Sequence, residues 1–325
     1  MQSLEPLRPL GRTNIRVSPV ALGCWPISGM TSRGVSDADS LATLAVCFDL
    51  GINFFDTAFC YGLDGESERL IGRAIQGRRD EVIVATKGGI HWGEKRERVI
   101  DGRPKVLKRE CDISLQRLGT DRVELLYLHA PDPRTRLTDS AGALLELMQA
   151  GKARSIGVSN FTLPQLQEFH AVCPITAYQP AYNMLQRQIE FDTLPWCVEN
   201  QVSIAPYWPL MKGLLAGQLP RDFVFPPGDG RPKYPMFQGD EWQKNQDFVD
   251  ELRAIARDTG RTVAAIAINW TIHQAGITSA LCGAKRPDQI RETAAGMGWR
   301  LSSADSQRID AALKKRGVPI VTTAV

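Results

Sequence analysis

Four side chains of complementary chemistry, Asp56, Tyr61, Lys87 and His129, close or closely follow short apolar runs. The runs are GINFFDTAFCYG (51–62), VIVATKG (82–88) and VELLYLHA (123–130). If these are neighbouring parallel strands, all four side chains gather at the carboxyl end of one sheet, where α/β barrels place their chemistry. A tyrosine phenol, with a pKa near about 10, is too weak an acid for efficient proton donation at neutral pH. A lysine ammonium within roughly 4 Å stabilises the phenolate, each tenfold gain in acidity being worth about 1.4 kcal/mol. Lys87 can supply that charge, Asp56 can hold the ammonium in place, and His129 can orient a carbonyl by hydrogen bonding. Such a set does acid–base work on a carbonyl oxygen, so the attacking group comes from elsewhere; hydride from a nicotinamide is the natural partner. Each residue alone has a blander reading, as a turn residue, a solvated strand end or a packed rim. Their joint occurrence is what carries the argument.

The elements that would position these groups follow one rhythm. Short β-rich runs at 20–25, 53–58, 82–88, 123–130, 154–160, 175–180, 202–210 and 277–284 alternate with amphipathic stretches. Helices are expected at 37–50, 67–76, 104–118, 140–149, 163–172, 193–199, 241–258 with 263–274, and 287–296. Pro104, Pro164 and Pro287 mark first turns, and Gly51, Gly119, Gly151 and Gly260 mark ends. Repeated βα units give a parallel sheet. The expected fold is therefore an α/β, (β/α)8 TIM barrel, one domain over 1–325, with an N-terminal β-hairpin at 8–18. Two connections, 88–104 and 211–240, are too long for plain turns; both follow strands, so both lie on the catalytic face as binding loops or lids. Glycines in 211–240 suggest a lid that closes over a bound dinucleotide.

Composition excludes several classes. A net charge of +3 over 325 residues gives no case for nucleic acid. The seven cysteines are scattered without a CxxC pair, which fits reduced thiols in a cytoplasmic protein. No apolar run approaches about 18 residues, so no membrane span is expected. His91, His129, His170 and His273 are far apart and no His-Glu-x-x-His occurs, so no metal is expected. No G-x-G-x-x-G follows the first strand, and no Tyr-x-x-x-Lys occurs, which removes the common Rossmann starts.

With these residues in view, the chain resembles the aldo-keto reductase family. GINFFDTAFCYGLDGESERLIGRAI (51–75) is similar to its Asp-Thr-Ala…Tyr-Gly…Ser-Glu…Leu-Gly signature, VATKGG (84–89) to its lysine strand and LLYLHAPDP (125–133) to its histidine strand. ARSIGVSNF (153–161), AYQPAYNML (177–185), APYWPLMKGLLAGQL (205–219) and CGAKRPDQIRET (282–293) match the later blocks in order. The resemblance implies a nicotinamide-dependent oxidoreductase, with Tyr61 as general acid in reduction and general base in oxidation. It implies that Ser159, Asn160 and Gln179 hold the carboxamide and that Tyr207 stacks on the nicotinamide. Leu210, Lys212 and Gly213 fall on the pyrophosphate loop, and Gly283, Lys285, Gln289 and Glu292 at the adenosine end. NADPH/NADP+ is the implied cofactor, with NADH as the alternative. Gly283 and Gln289 stand where many phosphate-using members have Lys and Arg, so Lys285, Arg286 or Arg291 would have to read a 2′-phosphate; Thr293 stands where an Asn often contacts adenine.

Trp25, Phe59, Trp92 and Trp208 follow or end strands on the catalytic face and are expected to ring the pocket mouth, facing a small-molecule carbonyl substrate. The loops 88–104 and 211–240 and the tail 317–325 would decide between apolar aldehydes and sugars. Three other readings stand beside carbonyl reduction: a sugar or polyol dehydrogenase running oxidatively, a slow-turnover nicotinamide-binding sensor, and a Schiff-base lyase with Lys87 as nucleophile.

Overall fold

The computed structural model describes residues 5–30 and 34–320; the end of the expected specificity tail, 321–325, lies outside them. The chain opens with a hairpin of β1 (Arg8–Pro9) and β2 (Arg16–Val17), closed by Leu10 N–H donating to Ile15 O at 2.9 Å. Eight parallel strands follow: β3 (Val20–Gly23), β4 (Phe54–Asp56), β5 (Ile83–Gly88), β8 (Leu125–Leu128), β9 (Ile156–Ser159), β10 (Ala177–Gln179), β11 (Ser203–Ile204) and β12 (Ala280–Gly283). A small antiparallel pair, β6 (Ile90–Trp92) and β7 (Arg98–Ile100), interrupts them after β5. The parallel sheet runs β11-β10-β9-β8-β5-β4-β3-β12. It closes on itself where Thr278 and Leu281 N–H donate to Ile204 O (2.8 Å) and Pro206 O (3.0 Å). The result is the eight-stranded barrel that the strand–helix rhythm predicts.

Helices α1 (Asp37–Asp49), α2 (Glu66–Ala74), α3 (Pro104–Leu118), α4 (Leu137–Gln149), α5 (Leu163–Val172), α6 (Thr193–Glu199), α7 (Gly239–Thr259), α8 (Val263–Ile272), α9 (Pro287–Ala294) and α10 (Ser303–Arg316) surround it. Gly119 and Gly260 adopt left-handed φ of 64° and 66° just past α3 and α7, stopping those helices where a Cβ would be strained.

Strand alternation sorts side chains between lumen and helices. Ala21, Phe54, Ala85, Leu125, Tyr127, Ala177 and Leu281 pack inside the barrel with Leu10, Ile15 and Val17 of the hairpin and its flanks. Two residues further along the same strands, the same face carries Asp56, Lys87, His129 and Gln179. An apolar floor therefore supports a polar top layer. Tyr127 is the largest buried side chain of the lumen, and Gly157 makes room for it: a Cβ there would stand 2.4 Å from the tyrosine ring and 2.8 Å from Ala177 O.

Four elements differ from expectation. The segment 88–104 is not an open loop, because β6 and β7 pair through a turn in which Arg96 takes a φ of 60°. The segment 211–240 carries short 3-10 turns at Met211–Ala216, Arg231–Lys233 and Pro235–Phe237. Helix α10 was not foreseen: Ser302 caps it by accepting from Asp305 N–H, but only Ile309 and Arg316 of its side chains are buried, so its apolar signal is weak. Helix α4 also starts three residues before the expected 140.

Overpacking at a filled lumen costs about 1–3 kcal/mol. Gly157→Ala is therefore expected to lower unfolding free energy by that amount, read from the denaturant midpoint at unchanged slope. An unmoved midpoint would show that the Tyr127 ring has room to yield.

Candidate active site

Lys87 is 1% exposed at the end of β5, and each of its three ammonium protons has an acceptor. Nζ donates to Asp56 Oδ1 at 2.6 Å, to Thr57 O at 2.7 Å and to the Tyr61 hydroxyl at 3.2 Å. Burial works against the ammonium, but the Asp56 carboxylate and the Tyr61 oxygen more than offset it, so its pKa is raised and the lysine stays charged. Burial lifts the Asp56 carboxyl, and Lys87 opposes that lift. The second Asp56 oxygen accepts from Gln179 Nε2 at 2.8 Å.

Tyr61 behaves differently from the expectation that Lys87 would make it a stronger acid outright. Burial pushes its phenol up to about 12, with Lys87 pulling down against that rise and Asp56 adding to it. The free chain thus keeps Tyr61 protonated at neutral pH, and the lysine limits how far burial can carry it.

His129 completes the group, its ring centroid 6.0 Å from that of Tyr61. Burial, then the charges of Lys87 and Arg98, hold its pKa well below the ordinary value, so the imidazole is neutral. Cys60 Sγ lies 3.6 Å from His129 Nδ1. Burial raises that thiol to about 12, so it remains S–H and can donate to Nδ1, which leaves the ring proton on Nε2. Sequence reasoning missed both Cys60 and the Thr57 carbonyl, although each sits inside the Asp-Thr-Ala…Tyr segment.

The tetrad continues into the residues expected to meet a nicotinamide. Asn160 holds a left-handed φ of 63° directly after β9. Its Nδ2 donates to His129 O (3.0 Å) and Ser159 Oγ (3.1 Å), and its Oδ1 accepts from Tyr207 O–H at 2.8 Å. Ser159 Oγ donates to Gln179 O at 2.8 Å. Two side-chain amides, a hydroxyl and a flat phenol thus flank the tetrad. That donor and acceptor set fits a carboxamide with an aromatic ring behind it.

Beyond β11 the backbone turns left-handed at Trp208, Met211, Lys212 and Gly213, with φ of 58°, 44°, 56° and 91°. Leu210 is half-buried at the start of this turn. The Lys212 ammonium sits between two rings, 4.2 Å from the Trp208 centroid and 4.4 Å from that of Tyr234. Burial first, then the charges of Lys233 and Arg231, lower its pKa to about 8.

Gly283, Lys285, Gln289 and Glu292 lie together where β12 runs into α9. A Cβ at Gly283 would stand 3.0 Å from Pro26 Cγ, so any larger residue presses on that proline. Gln289 Oε1 accepts from Lys285 N–H at 2.9 Å, Arg286 pairs with Asp288, and Arg291 is exposed. Thr293 is buried, its hydroxyl donating back to the Gln289 and Ile290 carbonyls.

The four expected pocket aromatics divide. Trp25 meets Tyr61 edge-on at 5.0 Å between centroids, and Trp92 donates from Nε1 to Cys60 O at 2.9 Å. Phe59 instead lies beneath the Arg117 guanidinium, 4.5 Å from its ring centroid, and Arg117 also pairs with Glu68 of α2. Trp208 faces Tyr207, Tyr234 and Lys212. Among the described residues, no group of three His, Cys, Asp or Glu is placed to hold a metal, and no helix is long and apolar enough to cross a membrane.

Comparison with known proteins agrees with this geometry. An aldo-keto reductase of Bacillus subtilis is 35% identical over 93% of this chain and 92% of its own length. An NADH-specific methylglyoxal reductase of Escherichia coli is 32% identical, covering 92% of this chain and 95% of its own. The solved structure of a glycerol dehydrogenase from Gluconobacter oxydans superposes with a TM-score of 0.89 at 35% identity, covering 99% of both chains. Residues 19–314 match the family model described as Aldo/keto reductase family. The chain belongs to the aldo/keto reductase family, whose members are oxidoreductases using nicotinamide cofactors.

Proposed function

We propose that this chain reduces small aldehydes or ketones to alcohols, reversibly, as a single barrel domain in the cytoplasm. Seven free, buried cysteines support a reducing compartment. The observation that carries the reading is the Lys87 ammonium shared among Asp56, Thr57 O and Tyr61 at the carboxyl end of the barrel. A bound nicotinamide supplies the hydride.

The chain's own residues do the proton work. Tyr61 O–H donates to the carbonyl oxygen as negative charge develops there, and the adjacent Lys87 stabilises the phenolate left behind. Asp56 and Thr57 O keep Lys87 oriented toward Tyr61. His129, neutral and carrying its proton on Nε2, donates a second hydrogen bond to the same oxygen. Trp25 and Trp92 wall the substrate side. In oxidation the Tyr61 phenolate takes the alcohol proton. A lysine with its three protons engaged and its charge held is a poor Schiff-base nucleophile, which disfavours the lyase reading.

Ser159, Asn160, Gln179 and Tyr207 would hold the nicotinamide end, Leu210, Lys212 and Gly213 the pyrophosphate, and Gly283, Lys285, Gln289 and Glu292 the adenosine end. We read the cofactor as NADPH, with Arg291, Arg286 or Lys285 meeting the 2′-phosphate; the NADH-specific relative supports NADH as the alternative. The likeness to a glycerol dehydrogenase supports small-polyol oxidation as the second reading.

Tyr61→Phe is expected to lower kcat for aldehyde reduction by about 10²–10⁴-fold while cofactor affinity, read by quenching of tryptophan fluorescence, is nearly unchanged. A variant retaining a substantial part of wild-type turnover would remove the phenol from the mechanism. Replacing Cys60 tests the histidine tautomer separately. Cys60→Val should reduce kcat and shift the His129 ring nitrogen resonances in NMR, while Cys60→Ser, which keeps a donor, should restore both. Equal kcat in the two variants would show that the thiol does not set the tautomer.

A further inference from the structure

The lumen beneath the tetrad holds a polar atom that neither the packing nor the mechanism above uses. Tyr127 is fully buried, and among the described residues its hydroxyl is the one buried side-chain oxygen or nitrogen without a completed hydrogen bond. Such a group costs stability that a phenylalanine of the same shape would not. The strand register shows where the hydroxyl goes. Gly157 of β9 stands opposite Tyr127 of β8 on one side and Ala177 of β10 on the other. With no side chain at Gly157, the Tyr127 ring lies across β9, so close that a Cβ there would stand 2.4 Å from its Cε1. The hydroxyl is thereby carried toward β10, where Gln179 follows Ala177 on the same face.

Gln179 is also buried, and its Nε2 already donates one proton to Asp56 Oδ2 at 2.8 Å. Burial, then the Asp56 charge, holds the Tyr127 phenol well above its usual range. The Gln179 amide works against that rise, as a donor directed at the phenol oxygen does. The second N–H of Nε2 therefore faces Tyr127. A planar amide with one N–H turned to Asp56 and the other to Tyr127 has its carbonyl oxygen on the side away from both. That oxygen can only accept, and a primary carboxamide brings an N–H to it.

We propose that Tyr127 is a positioning residue for the cofactor: its hydroxyl sets the Gln179 amide so that Oε1 accepts from the carboxamide N–H of the nicotinamide. Tyr127 lies one layer below the tetrad and acts only through Gln179. The inference rests on the nicotinamide-dependent reading and names the residue that fixes its carboxamide acceptor.

The test uses NAD+, NADP+ and their 3-acetylpyridine analogues, in which a methyl group replaces the carboxamide NH2. Calorimetry gives Kd for each with wild type, Tyr127→Phe, Gln179→Ala and the double variant. Tyr127→Phe removes one oxygen and leaves the packing in place. The analogue-to-natural ratio of Kd reports the carboxamide contact and cancels any general change in the barrel. It should exceed one in wild type and fall about two- to tenfold in Tyr127→Phe, as for the loss of one neutral hydrogen bond. In the Gln179→Ala background, Tyr127→Phe should leave the ratio unmoved, because the two residues act as one unit. A wild-type ratio of one, or a ratio unchanged in Tyr127→Phe, overturns the role of Tyr127 and leaves the nicotinamide reading standing. A further fall in the Gln179→Ala background overturns it as well, since the hydroxyl would then act without Gln179. A wild type that binds neither NAD+ nor NADP+ overturns the nicotinamide reading and this inference with it.

Discussion

An ammonium group in a protein interior costs several kcal/mol unless each proton finds an acceptor and the charge finds a counter-ion. Lys87 meets both conditions, and much of the surrounding structure follows from that requirement. Its three acceptors come from β4 and the turn after it, so β4 and β5 must be adjacent and in the register that sets Asp56 beside Ala85. Asp56 in turn needs Gln179 from the opposite side of the lumen, which ties β10 to β4 across the barrel. Removing one member of such a buried pair typically costs about 3–5 kcal/mol, because the other charge is left uncompensated. The site is thus a structural cross-brace and, in the proposed mechanism, an acid–base device as well. The Tyr61 hydroxyl is the member of this network that a substrate oxygen would meet.

Much of this was legible because strand alternation is rigid. In FFD, ATK and LLYLH the chemistry-bearing residue falls two positions after an apolar one, and a period of two puts both on the same face. The apolar partners Phe54, Ala85 and Tyr127 build the floor, and the polar ones necessarily rise above it. Ser159 and Gln179 were named through the family resemblance, and they too stand at the carboxyl ends of their strands. At position 283, where the resemblance would place a lysine in many members, a Cβ would stand 3.0 Å from Pro26 Cγ.

What the sequence concealed depends on close packing or on balances of opposing terms. The β6–β7 hairpin turns with Arg96 in the left-handed region, while the glycine of the turn, Gly93, stands at its start, where its N–H donates to Glu97 O at 2.9 Å. Phe59 follows a strand like its neighbours, yet Arg117 from α3 captures its ring. Helix α10 shows little apolar periodicity because it lies on the outside, against α7, through few buried side chains. The acidity of Tyr61 is set by burial against the nearby ammonium, and no spacing in the sequence reveals which is larger. Lys212 shows the same limit: its position after β11 was readable, whereas its placement between Trp208 and Tyr234 was not.

The central claim is that Lys87 restrains the rise in the Tyr61 pKa that burial imposes. In the proposed mechanism Tyr61 must lose its proton before it can act as a base in the oxidative direction, so activity should rise with pH as the phenol ionises. Removing the ammonium takes away the charge that pulls this pKa down, and the rising limb must move to higher pH. The direct measurement is the pH dependence of kcat/KM for alcohol oxidation in wild type and Lys87→Met. A limb displaced to higher pH in the variant is the predicted result; a limb at the wild-type position, whatever the fall in rate, would contradict the account.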